Sequence, residues 1–134
     1  MSLFGSLDIS GTGIDASQAW LNTTAGNIAN MNDVTSTSQA AYGEQTPVFT
    51  PVGAAGQVGD GVAVSSIQEG DTTGVVQFDP TSPVADAQGN VRVPDVQLGS
   101  QMVDMIQAQF DFQANTASFA DAKTAYQSAL TLGT

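Results

Sequence analysis

Residues 105–126 read MIQAQFDFQANTASFADAKTAY, and their spacing decides the fold. Met105, Phe112, Phe119 and Tyr126 stand seven residues apart, with Ala108, Ala122 and Ala129 three residues after the first, third and fourth of them. A seven-residue apolar repeat is the seam of helices that wrap around one another. Large residues facing small ones along that seam allow close helix approach. Val103, Ile106, Phe110, Ala117 and Ala120 form a second apolar strip beside the first. A helix from about residue 96 to 131 would be about 54 Å long at a rise of about 1.5 Å per residue. One partner helix cannot cover both strips over that length, so the second is expected to face other chains. The competing expectation is that it packs on the middle of the chain.

The opposite end carries the same interval. Leu7, Ile14, Leu21 and Ile28 repeat every seven residues, with Leu3 and Ala25 on the same face, which predicts a helix over roughly 3–30. Its intrinsic propensity is poor. Gly11, Gly13 and Gly26 each cost about 1 kcal/mol relative to Ala, and Asn22, Thr23, Thr24 and Asn27 lower it further. Such a helix depends on packing its apolar face. All five prolines (Pro47, Pro51, Pro80, Pro83, Pro94) lie between the two helical ends. There Thr46–Thr50, Val62–Ile67, Gly74–Phe78 and Val91–Val93 read as short strands, and Gly74–Phe78 is expected to return against Val62–Ile67 across residues 69–73. Gly53–Gly61 reads as a mobile loop. The predicted fold is mainly α with a small β insert. An N-terminal axial helix (1–32) and a C-terminal axial helix (96–134) pair as a coiled coil and frame a short-stranded region (33–95).

Composition removes most catalytic classes. The 134 residues suit a single domain. With no His and no Cys, the usual zinc sites, Ser-His-Asp triads and Cys-His pairs are excluded. Thirteen acids against two bases, Arg92 and Lys123, give a net charge of −11, which opposes binding to nucleic acid and anionic lipid. At that charge, copies packed around one axis repel, so basic surfaces on other proteins are the expected neighbours. No secretory signal of the Lys/Arg-plus-apolar kind and no apolar run long enough for a membrane span is visible.

Four apparent sites carry less than they promise. Gly11-Thr12-Gly13-Ile14-Asp15-Ala16, with Asp33 about 20 residues on, fits a dinucleotide fingerprint, which would make the chain a small acidic nucleotide-binding protein. No convincing strand precedes it, so small residues at a close helix contact are the better reading. Gly53, Gly56, Gly59 and Gly61 lack the Gly-Lys-Ser/Thr of a phosphate loop. Asp60-Gly61 and Asp86-Ala87-Gln88-Gly89-Asn90 lack the spaced oxygens of a calcium loop and read as turns. Asp79 with Asp86, or Glu69 with Asp71, have no aromatic-lined cleft around them to make a hydrolase. Trp20 reads as a packing residue. No cofactor, metal or catalytic residue is expected.

Several motifs nevertheless resemble a known family. Asn27-Ile28-Ala29-Asn30, followed by Thr35, resembles the Asn-x-Ala-Asn signature of bacterial flagellar rod and hook axial proteins. Phe78-Asp79-Pro80, Pro83-Val84-Ala85-Asp86, Gly89-Asn90-Val91 and Pro94-Asp95-Val96 are similar to the run found in proximal-rod members of that family. Met102, Met105-Ile106, Gln113-Ala114-Asn115 and Leu130-Thr131-Leu132-Gly133 complete the likeness, which covers nearly the whole chain. There are departures. Ala41-Tyr42-Gly43-Glu44 stands where the family often carries a basic patch, Gln101-Met102 where it has Glu-Met, Phe110 where it has Arg, and Phe112 where it has Tyr.

The resemblance implies a structural subunit of the proximal rod of the flagellar basal body. Its terminal helices would pack into an inner layer and transmit torque. Partners would be other rod subunits, basal-body ring or adaptor proteins and the flagellar type III export apparatus, with export to the periplasmic rod in unfolded form without a cleavable signal peptide. A neighbouring proximal-rod, distal-rod or hook-type subunit is the alternative within the family.

Overall fold

A computed structural model of the chain describes residues 3–53 and 59–132. Most of the loop expected at Gly53–Gly61, with Gly56, Gly133 and the Leu3 side chain, lies outside that description. The elements run α1 (Leu3–Asn30), β1 (Gln45–Val52), β2 (Gly61–Glu69), β3 (Val75–Phe78), β4 (Asn90–Val93) and α2 (Leu98–Leu132). The fold is therefore mainly α, with two long terminal helices and a small antiparallel β region, as the heptads and the placement of the prolines predict.

Strand pairing differs from expectation. β1 pairs with β2 and β3 with β4, in two separate two-stranded sheets, so Gly74–Phe78 does not return against β2. The β1–β2 hairpin is tied by Ser65 Oγ donating to the Val48 carbonyl at 3.0 Å and by Asp60 N donating to the Val52 carbonyl at 2.8 Å. After β2 the chain turns alongside residues 41–44 instead. Gly70 N donates to the Glu44 carbonyl at 2.7 Å and Ala41 N to the Thr72 carbonyl at 2.8 Å. Gly74, at φ +60°, then redirects β3 onto β4 in the register Val75↔Val93, Val76↔Arg92, Gln77↔Val91 and Phe78↔Asn90. A left-handed residue at that point is what a periodicity argument cannot supply.

By compactness the chain divides into two units. Unit 1 comprises Met1–Leu21, Pro47–Ser66 and Ile106–Thr134, and unit 2 comprises Asn22–Thr46 and Ile67–Met105. In unit 1, α1 and α2 run antiparallel. Phe4 meets Tyr126 edge-on at 5.0 Å between ring centroids. Gly13 lies so close to Asn115 that a Cβ there would stand 2.5 Å from its Oδ1. The hairpin docks through Thr12, whose hydroxyl donates to the Ile9 carbonyl and accepts from Val62 N at 3.1 Å. Trp20 and Phe49 meet edge-on at 6.1 Å, a geometry that contributes about 1 kcal/mol beyond area burial.

The inward line of α1 is not the leucine and isoleucine repeat. Leu7, Ile14, Leu21 and Ile28 are half-buried, whereas Ser10, Gly13, Ala16 and Ser17 are buried in unit 1 and Thr23, Thr24 and Asn27 in unit 2. Small and hydroxylated side chains sit at the contact because they let backbones approach, and the bulkier residues flank them. On α2 the seam is only partly covered. Ala108 is buried and Met105, Phe112 and Tyr126 are half-buried, but Phe119 is 38% exposed.

The second strip faces outward. Ile106 and Phe110 in unit 1 are 51% and 65% exposed, with Ala117 and Ala120 also exposed, and Val103 in unit 2 is 62% exposed. Among the described residues, Ala16, Ala41, Val91, Val96 and Ala108 are the buried aliphatic side chains, with Pro47 and Pro94 beside them, and all are small. A large apolar side chain contributes about 1.5–3 kcal/mol when fully buried. Most of that potential is unused within this chain.

Candidate functional site

With the active-site readings weakened by sequence, the sites to weigh are the motif residues and the uncovered surface. Unit 2 is organised by Asn27, which is 1% exposed. Its Nδ2 donates to the Gln45 carbonyl and to Gln101 Oε1, both at 2.9 Å. Its Oδ1 accepts from Tyr42 Oη at 2.9 Å and from Gln45 N at 2.8 Å. Gln101, also 1% exposed, donates through Nε2 to Glu44 Oε1 at 2.9 Å. Because a carboxylate only accepts, Glu44 orients the Gln101 amide, and Gln101 in turn orients Asn27. Burial raises the Tyr42 pKa above 10.0, with the charges of Glu44 and Glu69 adding to the effect. Glu44 and Gln101 are two of the departures from the family pattern, and in this chain they meet.

The remaining motif residues serve local structure. Asn30 Nδ2 donates to the Gly26 carbonyl at 2.8 Å, and Ala29 is exposed. Pro80 and Pro83 are exposed, while Pro94 is buried. Gly89 takes φ +82°, and its N–H donates to the Asp86 carbonyl at 2.9 Å. Asn115 holds the Asp111 carbonyl through Nδ2, and Gln113 is exposed beside Phe110.

Asp86 closes the 86–90 turn. Oδ1 accepts from Gln88 N and Asn90 N at 2.9 Å, and Oδ2 accepts from Thr37 Oγ1 at 3.0 Å. These donors, Asn90 N–H foremost, lower its pKa below 3.8. A depressed folded-state pKa means the stabilisation is complete above 3.8 and is lost as pH falls through the lower folded value. The Gln88 and Asn90 amide resonances are therefore expected to move together on acidification from about pH 5 to about pH 2. In Asp86→Asn that joint step should vanish, and its persistence would refute the assignment.

The Gly11–Ala16 segment lies inside α1 rather than between a strand and a helix, which removes the structural context a dinucleotide fingerprint requires. Among the described residues, no group of three or more acids is placed to hold a metal ion, and no helix is long and apolar enough to cross a membrane.

Sequence inspection read Gly11–Ala16 as small residues at a close helix contact, where Gly13 and Ala16 do lie, but missed the continuation of that line through Ser10, Ser17, Thr24 and Asn27 and the roles of Tyr42, Glu44 and Gln101. A signal was present. Gln101 and Asn115 occupy the heptad positions of the α2 seam, and Ser10, Gly13, Ser17, Trp20, Thr24 and Asn27 step by alternate threes and fours. Polar residues at seam positions set register in paired helices.

The family profile described as "Flagellar basal body rod FlgEFG protein C-terminal" matches residues 87–132. The chain is 35% identical over 133 residues to the flagellar basal-body rod protein FlgC of Yersinia enterocolitica, covering 99% of each chain. It is 34% identical to the protein of the same name from Salmonella typhimurium, again over 99% of each. The corresponding Bacillus subtilis protein is 28% identical, with 99% of each chain covered. With identity at this level sustained from end to end, the chain belongs to the FlgC family of flagellar basal-body rod proteins.

Proposed function

We propose that the chain is a structural subunit of the proximal rod of the flagellar basal body, built into the rod through its terminal helices and transmitting torque by rigid packing. Family membership supports the rod assignment and a non-catalytic role. The observation that carries the assembly mode is the outward strip of α2, where Ile106 and Phe110 lie open on a chain with a small apolar core. Exposed apolar surface of this kind marks a contact with another protein. Other rod subunits and ring or adaptor proteins are the proposed partners. A small core without Cys is also compatible with passage through the flagellar export apparatus as an unfolded chain and refolding in the periplasmic rod.

Phe110→Ala tests the strip. Because Phe110 is 65% exposed, the isolated variant should keep its stability to within about 0.5 kcal/mol. An aromatic anchor buried at a subunit contact is worth about 2 kcal/mol or more, so incorporation into rods should fall about 30-fold or more. Urea denaturation of the monomer and motility complementation read the two effects separately. Normal motility and incorporation would remove the strip from the interface. Loss of monomer structure would place Phe110 in the fold instead.

A further inference from the structure

Unit 1 contains a hollow of about 270 Å³ with a specific chemical character. Trp20, Phe49 and Val62 line it, and Gly13 forms part of its wall without a side chain. Asp111 and Asn115 supply polar atoms from α2. Asn115 donates to the Asp111 backbone carbonyl at 2.9 Å rather than to its carboxylate, which is carried by an exposed residue.

The charge around the hollow is one-sided. Unit 1 carries Asp8, Asp15, Asp60, Asp111 and Asp121 against the single basic side chain Lys123. Lys123 lies twelve residues from Asp111 on the same helix, about 18 Å along the axis. That is beyond direct reach, and at physiological salt it is about two Debye lengths away.

Aromatic rings beside an uncompensated carboxylate form a site for a planar cation. A guanidinium stacks on aromatic faces, is weakly hydrated and bonds a carboxylate through two parallel N–H donors. An ammonium is more strongly hydrated and lacks the planar face. We propose that this hollow accepts the arginine guanidinium of a basic partner protein, with the edge-on Trp20–Phe49 pair supplying the aromatic wall and Asp111 the anionic acceptor. The site is separate from the α2 strip and does not depend on the rod assignment.

Trp20 is the sole tryptophan, so its emission reports on the hollow directly. The full chain should be titrated with N-acetyl-arginine amide and with the citrulline counterpart, which keeps the shape but lacks the charge. The arginine compound should give a saturable change, with a dissociation constant about tenfold or more below that of the citrulline compound. The preference should shrink as salt is raised, and Asp111→Asn should abolish it. Because Asp111 is exposed, that variant should retain the native circular dichroism. A non-saturating response to arginine, equal responses to the two compounds, or a preference that survives either salt or Asp111→Asn would overturn the site.

Discussion

Asn27→Ala is expected to lower the stability of the isolated chain by about 3 kcal/mol or more. The side chain is 1% exposed and engages Gln45 N, the Gln45 carbonyl, Gln101 Oε1 and Tyr42 Oη. Alanine leaves these groups without their partner. Tyr42 is half-buried and can turn to water, but Gln101 is 1% exposed and cannot. Each buried group left unsatisfied costs about 1–3 kcal/mol, whereas removal of both partners of a bond is milder. Asn27→Ala with Gln101→Leu should therefore cost less than the sum of the single changes, a coupling of about 1 kcal/mol or more. Asn27→Asp keeps the acceptor but turns a carboxylate oxygen towards the Gln45 carbonyl and Gln101 Oε1, so it should not rescue. Urea midpoints for the single and double variants measure this. A loss below about 0.5 kcal/mol for Asn27→Ala would mean that the network is replaceable by water.

Gly74→Ala should be comparably damaging, at about 2–5 kcal/mol, for an unrelated reason. At φ +60° an L-residue incurs about 1–2 kcal/mol. The added Cβ would also overlap the Val93 carbonyl oxygen and stand 2.7 Å from the Ala41 methyl. The carbonyl oxygen belongs to β4 and cannot rotate away, so the strand must shift, adding about 1–3 kcal/mol. Gly99→Ala is the internal control. It lies in the first turn of α2, where an added Cβ would meet nothing within 4 Å, and should be neutral or stabilising by up to about 1 kcal/mol. Thermal unfolding of the two variants side by side decides the point. Equal melting temperatures would show that β3 can take another path.

Much of the architecture was legible in residue spacing. The α1 span coincides with the expected 3–30, and α2 begins two residues after the anticipated start. β3 and β4 fall where short runs rich in Val lie between turn-formers, because strand propensity and turn chemistry are local properties of the sequence. The outward strip at Ile106 and Phe110 was readable for a similar reason: a helix with two apolar strips and one intramolecular partner leaves one uncovered.

Other features were not readable by hydrophobicity. The contact line of α1 is built from Ser10, Gly13, Ser17, Thr24 and Asn27, residues that an apolar count passes over in favour of Leu7, Ile14, Leu21 and Ile28. Their value lies in small volume and complementary hydrogen bonding, which have meaning only opposite a particular partner. Asn27 stands out through its motif, but Tyr42, Glu44 and Gln101 become its companions only when residues 74 positions apart are brought together.

By itself, then, the sequence determined the element types, their order, the exclusion of His- and Cys-based chemistry and the family likeness, because propensity, periodicity and side-chain inventory are local properties. Tertiary structure decided that β2 pairs with β1, that the small-residue line of α1 runs on through Ser10, Ser17, Thr24 and Asn27, and that Trp20, Phe49 and Asp111 share one hollow. Those outcomes depend on competition between long-range contacts, settled by a left-handed glycine at 74, a missing Cβ at 13 and the hydrogen bonds that each packing can satisfy.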